Sequence, residues 1–307
     1  MKYLALCFIL HACVTTQDTV FLEEGNTLAL KGLYREAISS YRKSLSKNPD
    51  KLLAHNRLGT LLLKVGNYPG AIAHLDRSLP YFKDHFETNF FLGEAHRITD
   101  DHAKAIFYYE QADRIKRNDY RVLRALAWTF FEIKYFSKAL ELAESAYSHN
   151  PKDEQTAIVL LRTQIKLKKL SDAQTLIKTF DWSQENTPTV QSVQGDFFLE
   201  MGDIAQAALM YKKALQTKPL LASALLGLGT CYLRQANFQQ AIRYLEQGQR
   251  LRPNNAYTYL QLGKAYEQLQ SPKARNSYQT FLEKASADPE YLSLLPAVQQ
   301  KIATWRD

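Results

Sequence analysis

Alanine recurs every 34 residues along most of this chain, and that interval is the strongest constraint on its fold. The series is Ala37, Ala71, Ala105, Ala139, Ala173, Ala207 and Ala241. A second series of mostly small residues keeps the same interval: Gly25, Gly59, Gly93, Ala127, Leu161, Gly195, Gly229 and Gly263. A fixed period of this length is typical of chains that stack one supersecondary unit many times. The sequence therefore predicts a repeat protein, in which each unit contacts its neighbours rather than one central core.

Each repeat is predicted to be two antiparallel helices joined by a short turn. Leu58 precedes Gly59 and Leu62 follows it by three residues, which places both beside the small position on one helix face. In the second helix, Tyr41 stands four residues after Ala37 on a similar stripe. Small residues are required where two helices cross closely, because larger side chains would hold the backbones apart. Prolines at the ends of several repeats, as at Pro49, Pro151, Pro219 and Pro253, are consistent with helix boundaries.

This arrangement of small residues, aromatic residues and prolines over 34 positions resembles the tetratricopeptide repeat family. The resemblance implies an all-α fold, a right-handed superhelical solenoid of eight helix-turn-helix repeats. The repeats are predicted over residues 18–287, starting near Asp18, Leu52, Phe86, Tyr120, Glu154, Pro188, Ala222 and Ala256. A last helix within residues 288–307 is expected to cover the apolar end of the stack.

The fifth repeat departs from the pattern. Leu161 occupies the small position, and Phe180-Asp181-Trp182 replaces the usual end of the second helix. A wider helix crossing followed by a longer loop explains both changes. A hinge between the flanking repeats is the alternative hypothesis.

The first residues are interpreted as a signal peptide rather than as part of the repeats. Residues 1–12 contain Lys2 and a short apolar run, which is well below the about 20 residues that a membrane-spanning helix needs. The segment Leu10-His11-Ala12-Cys13 resembles the lipobox of bacterial lipoproteins. That resemblance implies that Cys13 carries acyl chains such as palmitate and that residues 13–17 form a tether. An uncleaved first helix of the domain is the alternative.

The lipobox resemblance also implies a location. The mature chain would be anchored in the bacterial cell envelope, and Val14 rather than Asp after the cysteine favours the periplasmic face of the outer membrane. The three cysteines of the whole sequence are too few for a disulfide framework, so helix packing must hold the fold together.

The first helix of each repeat is expected to form the inner wall of the superhelix. If its second, fifth, ninth and twelfth positions face inward, one wall carries many arginine and aromatic side chains. The predicted groove residues are Asn56, Phe90, Glu94, Arg97, Arg121, Arg124, Trp128, Phe131 and Arg162. Such side chains combine large apolar area with forked donors for carboxylates, so a protein or peptide with acidic and apolar residues is the expected partner. If the assignment of inward-facing positions is shifted by one residue, the aromatic residues pack between repeats instead.

Two narrower functions are not supported. The carboxylate clamp of some tetratricopeptide co-chaperones needs a lysine where this chain has Leu22, although Asn26 matches another clamp position. No HExxH motif, glycine-rich phosphate loop or serine nucleophile elbow is present, and the histidines are scattered. We therefore expect no catalytic residues, no metal and no cofactor.

The net charge of +8 is spread along the chain and does not indicate nucleic-acid binding. The sequence thus favours a non-enzymatic, membrane-tethered scaffold that takes part in the assembly of an envelope complex, such as a pilus, a secretion system or a polysaccharide exporter. The alternative is a structural subunit of an envelope machine that assembles through its convex and terminal surfaces.

Overall fold

The computed structural model of the chain describes residues 16–182 and 187–304. Those residues form seventeen helices and no strand, which confirms the predicted all-α class. The chain divides into two compact units, unit 1 over residues 1–150 and unit 2 over residues 151–307. Among the described helices, none has both the length and the apolar character of a membrane span.

Unit 1 consists of four helical hairpins. They are α1 (Gln17–Leu30) with α2 (Tyr34–Lys47), α3 (Leu52–Lys64) with α4 (Tyr68–Phe82), α5 (Phe86–Ile98) with α6 (His102–Ile115), and α7 (Tyr120–Glu132) with α8 (Phe136–His149). Three residues join the two helices of each hairpin, and so short a connection makes them antiparallel. The first helix of each hairpin also contacts the first helix of the next, as in a stack of repeats.

Unit 2 contains four more hairpins and a final helix. They are α9 (Glu154–Lys166) with α10 (Leu170–Thr179), α11 (Pro188–Glu200) with α12 (Ile204–Thr217), α13 (Ala222–Arg234) with α14 (Phe238–Leu251), α15 (Ala256–Gln268) with α16 (Lys273–Ala285), and α17 (Leu295–Ala303). The final helix begins later than the sequence suggested, because residues 288–294 form turns, in which the Tyr291 N–H donates to the Asp288 carbonyl. Val298 of α17 packs against Phe281 and Tyr278 of α16.

The small positions lie where the two helices of a hairpin cross, as predicted. A Cβ atom on Gly93 would lie 2.5 Å from the ring of Tyr109, and one on Gly195 would lie 2.6 Å from the ring of Tyr211. The large residue that meets the small position belongs to the second helix, four residues after the fully buried repeat alanine. The 34-residue series therefore marks positions where a small residue of the first helix contacts a large residue of the second helix, rather than positions where two small residues meet.

Side-chain caps fix where several second helices begin. Asp101 accepts a hydrogen bond from the Lys104 N–H, and Asp203 accepts one from the Gln206 N–H. Asn67 and Asn237 cap α4 and α14 in the same way. Each such cap stabilises a helix start by about 1 kcal/mol.

The fifth hairpin is the irregular one. Its second helix α10 has only 10 residues. After it, the ring of Phe180 lies 4.4 Å from that of Trp182, whose indole N–H donates to the Ile177 carbonyl at 3.1 Å. Leu161 is fully buried in the small position. A hinge at this repeat stays a hypothesis.

Candidate partner-binding face

Seven of the predicted groove residues lie on the first helices of the third and fourth hairpins in unit 1, and six of them, all but Phe90, are not buried. We call this set the α5–α7 face; it comprises Glu94, Arg97, Arg121, Arg124, Trp128 and Phe131. All six side chains are half-buried, so each retains some contact with solvent. The helices place them one or two turns apart along α5 and α7, as the repeat pattern requires.

Two predicted groove residues are buried instead, and their assignment to an open wall is wrong. Phe90 is only 8% exposed and packs in a core cluster with Tyr109 and Val122. Asn56 is 5% exposed, and its amide donates to Thr88 Oγ1 at 2.8 Å. Both stand at the fifth position of their repeat, a position at which Arg124 of the fourth repeat is half-buried rather than buried.

Arg97 is held between two carboxylates of the chain. Its guanidinium lies 3.1 Å from Glu132 Oε1 and 3.5 Å from Glu94 Oε2. The Tyr109 hydroxyl donates to Glu94 Oε1 at 2.5 Å. Burial of Tyr109 and the adjacent Glu94 carboxylate raise the pKa of its hydroxyl. This arginine therefore belongs to a polar network that joins α5, α6 and α7.

Arg121 is similarly engaged. Its Nε lies 3.1 Å from Asp119 Oδ1, and its terminal nitrogen lies 3.3 Å from Glu87 Oε1. Burial of Asp119 raises its pKa, but hydrogen bonds from Arg121 and Lys116 outweigh that effect and lower the pKa to about 2. The guanidinium also lies 5.0 Å from the centre of the Phe86 ring. An acidic partner must therefore compete with carboxylates that the chain already supplies.

The aromatic part of the face is on α7. The rings of Trp128 and Phe131 meet edge to face at 5.9 Å, and Phe131 lies 5.4 Å from Phe136. Arg124, one turn before Trp128, places its guanidinium 5.8 Å from the Tyr120 ring. Half-buried aromatic residues with a neighbouring arginine are the composition of interface hot spots. The structure brings these three predicted residues together on one side of one helix.

Arg162 lies in α9 of unit 2, and its surroundings differ from those of the α5–α7 face. Its Nε atom is buried. Burial lowers the pKa of Arg162, while the negative charge of Asp196 acts in the opposite direction. Asp196 accepts a hydrogen bond from the Tyr211 hydroxyl at 2.7 Å. Arg162 is thus part of a polar cluster inside unit 2.

The sequence analysis did not identify the hydrogen-bonded pairs that each central tyrosine forms with a polar acceptor, although a signal was present. A polar residue directly follows the small position and stands 15 residues before a tyrosine of the second helix. The pairs are Asn26 with Tyr41, Glu94 with Tyr109, and Asp196 with Tyr211. Because the tyrosine hydroxyl lies at the end of a buried ring, it needs a hydrogen-bond acceptor on the neighbouring helix.

Two histidines that looked scattered in the sequence are neighbours in unit 1. The Nδ1 atoms of His55 and His74 lie 2.8 Å apart, so one ring donates and the other accepts. Burial lowers the pKa of His74, and the charge of His55 adds to that effect. In the part of the chain that the structure describes, no three His, Cys, Asp or Glu side chains are arranged to hold a metal ion.

Sequence profiles of known families match both units. Tetratricopeptide repeat profiles match residues 22–83, 56–120, 198–262 and 257–286. BBSome complex member BBS4 of Bos taurus is 22% identical over 265 residues, which cover 86% of this chain and 51% of that protein. The chain thus spans about half the length of this curated relative.

Solved structures with the same arrangement of helices have little sequence identity to this chain. A tetratricopeptide repeat protein from Parabacteroides merdae has a TM-score of 0.67 at 13% identity, over 81% of this chain and 98% of its own. A chain of the Cut9–Hcn1 hetero-tetramer of APC/C has a TM-score of 0.67 at 15% identity, over 94% of this chain and 57% of its own. The protein belongs to the tetratricopeptide repeat family, whose stacked helical hairpins are scaffolds for binding other proteins.

Proposed function

We propose that this protein is a lipid-anchored scaffold of a bacterial envelope, which binds a protein partner through the α5–α7 face during assembly of an envelope complex. The family supports the binding role, and the lipobox-like segment ending at Cys13 supports the anchor. Residues 1–15 lie outside the described residues, so the anchor rests on the sequence alone.

One observation carries the binding proposal: the contact of Trp128 with Phe131 beside Arg124 on α7. A tryptophan and a phenylalanine supply large apolar area with few rotatable bonds, and the arginine supplies paired donors. Because Arg97 and Arg121 already have carboxylate partners, we expect apolar contacts on α7 to contribute more of the affinity than the acidic contacts do.

The binding test is a pull-down from envelope extract with the full chain carrying Arg124→Ala and Trp128→Ala together. Loss of a central tryptophan typically costs 2 kcal/mol or more, so recovery of the partner should fall by about tenfold or more. The matched control is Lys104→Ala with Phe107→Ala on α6, which also removes one cation and one aromatic ring, the latter 54% exposed. If every protein recovered by the unmodified chain is recovered equally by the double variant, the assignment of the α5–α7 face is wrong.

The anchor has its own test, which is mass spectrometry of the mature N-terminus. We expect an acylated cysteine at position 13 as the first residue, and Cys13→Ser should move the protein from the membrane fraction to the soluble fraction. Several acyl chains together give stable attachment, at about 0.8 kcal/mol per buried methylene. An unmodified N-terminus that retains residues 1–12 would remove the envelope location from the proposal.

A structural subunit that assembles through its convex and terminal surfaces is the second candidate function. Exposed apolar side chains near the end of unit 2 favour it, since Leu292 is 51% exposed and Leu294 is 41% exposed. Size-exclusion chromatography of the chain without its anchor separates the two. A stable oligomer that Leu292→Ser disrupts supports the subunit, and a monomer at all concentrations supports the scaffold.

A further inference from the structure

The loops that connect successive hairpins of unit 1 lie along one edge of the stack. We call it the hairpin-joining edge; it comprises the last turns of α2, α4 and α6 and the loops that follow them. The second helices of stacked hairpins run parallel to one another, so their last turns share this edge. Three exposed residues mark it at intervals of 34 residues: Lys47, Tyr81 and Ile115.

The start of α1 lies at the same edge. The Asp18 carboxylate accepts hydrogen bonds from Lys51 Nζ at 2.7 Å and from Asn48 Nδ2 at 3.3 Å, so α1 begins against the loop between α2 and α3. Cys13 precedes Thr16 by three residues and therefore lies within about 11 Å of it, since one residue spans at most about 3.6 Å. An acyl chain on Cys13 thus enters the membrane close to this edge. The opposite edge lies farther away by about 21 Å, the length of α1.

Two apolar side chains are exposed on the hairpin-joining edge. Tyr81 is 75% exposed, and Ile115 is 41% exposed. Tyrosine is favoured at the boundary between lipid head groups and hydrocarbon, because its ring is apolar while its hydroxyl is polar. Transfer of the isoleucine side chain from water to the same boundary is also favourable. The two residues therefore suit a lipid surface better than they suit water.

Exposed cations accompany these apolar residues. Lys83 follows Tyr81 by two positions, Arg117 follows Ile115 by two positions, and Lys47 ends α2. In the part of unit 1 that the structure describes, none of the three cations forms an ion pair. Long basic side chains reach phosphate groups while their methylene stems lie on apolar surface, and each one near an anionic membrane adds to the attraction.

Most of the acids on this edge are already engaged. Asp50 lies 2.9 Å from a terminal nitrogen of Arg77, and Asp119 lies 2.7 Å from Lys116 Nζ. Asp84 is exposed. The edge therefore carries a net positive charge, and an anionic surface is its electrostatic complement.

We propose that the hairpin-joining edge of unit 1 docks on an anionic lipid surface, with Tyr81 and Ile115 among the head groups and Lys47, Lys83 and Arg117 against lipid phosphates. This rests on the lipid anchor proposed above and adds the orientation of unit 1 on the membrane. A lipid surface is favoured over nucleic acid because apolar residues separate the cations. It is favoured over a second copy of the chain because two such edges repel each other.

The test attaches one fluorophore at a time to the mature acylated chain in vesicles of phosphatidylcholine and phosphatidylglycerol. Introduced cysteines take the label selectively, because Cys7 leaves with the signal peptide, Cys13 carries acyl chains and Cys231 is fully buried. Nitroxide-labelled lipids should quench a label at Tyr81→Cys at least about threefold more than one at Tyr135→Cys. Tyr135 is the matched control, since it is 68% exposed at the opposite edge of unit 1.

A second comparison isolates the charges. Lys83→Gln with Arg117→Gln, added to Tyr81→Cys, should lower the ratio of docked to undocked chains by about tenfold or more and remove most of the quenching. Vesicles of phosphatidylcholine alone should have the same effect. The control variant, Lys31→Gln with Lys64→Gln, removes two exposed cations from the opposite edge and should leave the quenching unchanged.

Three results on an acylated chain would overturn the docking proposal while the anchor stands. They are equal quenching at positions 81 and 135, quenching at neither position, and equal quenching of position 81 with and without phosphatidylglycerol. Mass spectrometry of the same preparation shows whether the anchor is present, and an unmodified N-terminus removes both proposals. None of these results bears on the pull-down that tests the α5–α7 face.

Discussion

Units 1 and 2 use the same helical hairpin but hold their central tyrosines differently. In unit 1 the ring of Tyr109 packs on Gly93, and its hydroxyl donates to Glu94, whose carboxylate is 25% exposed. In unit 2 the ring of Tyr211 packs on Gly195 and also on Gly227 of the next hairpin. The second glycine lets the tyrosine of unit 2 reach across two hairpins.

The residue that corresponds to Gly227 in unit 1, three repeats earlier, is Ala125. The unit 1 position therefore accepts a methyl group that the unit 2 position excludes. The units also differ in titratable groups, since all seven histidines stand in the first 150 residues. Repeats with one backbone plan thus achieve stability through different local contacts, and these contacts can be changed one unit at a time.

The largest expected effect is that of Gly227→Val in unit 2. Even a Cβ atom there would lie 2.2 Å from the Tyr211 ring, which is fully buried and fixed by its hydrogen bond to Asp196. Overpacking of this kind lowers the free energy of unfolding by about 3 kcal/mol. The unit 1 counterpart, Ala125→Gly, should cost about 1 kcal/mol through helix propensity.

Hydrogen exchange of peptides from α11 to α13 and from α5 to α7 measures the two effects separately. If the two variants lose the same amount of protection in their own peptides, packing of the Tyr211 ring does not depend on Gly227. The proposed difference between the two units is then wrong.

A smaller difference in the free energy of unfolding is expected between the two units when the residues that accept the tyrosine hydrogen bonds are replaced. Asp196→Ala leaves the buried Tyr211 hydroxyl without its acceptor and removes the charge that acts on Arg162, at a cost of about 2 kcal/mol. Glu94→Ala should cost about 1 kcal/mol, because Glu132 still pairs with Arg97 and solvent reaches the site. Urea unfolding of both variants checks the order. The matched variant Asp196→Asn keeps an acceptor and should recover part of the loss.

The 34-residue period predicted the helices well, because the size of one side chain at a helix crossing is a local requirement. The start of α3 at Leu52 and that of α15 at Ala256 follow directly from it. The site was harder to predict. Whether Phe90 faces solvent or the next hairpin depends on the rotation of α5 by part of a turn, which a residue pattern alone does not determine.

The ion pairs of the site could not be predicted for a related reason. Arg121 has a partner on its own helix start, Asp119, and another on the previous hairpin, Glu87, and a one-dimensional pattern does not show which acids a long side chain reaches. The turns between α16 and α17 lie in a segment that the sequence analysis assigned to the last helix.

The smallest expected effect is a pH dependence confined to unit 1. Burial lowers the pKa of His74 and of His96 below the ordinary value of 6.5, so the folded state binds a proton less readily than the unfolded state does. Their contribution to stability is therefore complete above pH 6.5 and is lost as the pH falls below it. Unit 2, which has no histidine, should not change over that window.

Hydrogen exchange at pH 7 and at pH 5, corrected for the intrinsic rate, measures this contrast within one molecule. Peptides from α3 and α4 should lose protection at pH 5, since protonation of His74 places a positive charge in a half-buried site near Arg42 and Arg77. His74→Asn should remove most of that loss in α3 and α4 and leave α13 and α15 unchanged. Equal loss of protection in both units would instead attribute the acid sensitivity to carboxylates, which the two units share.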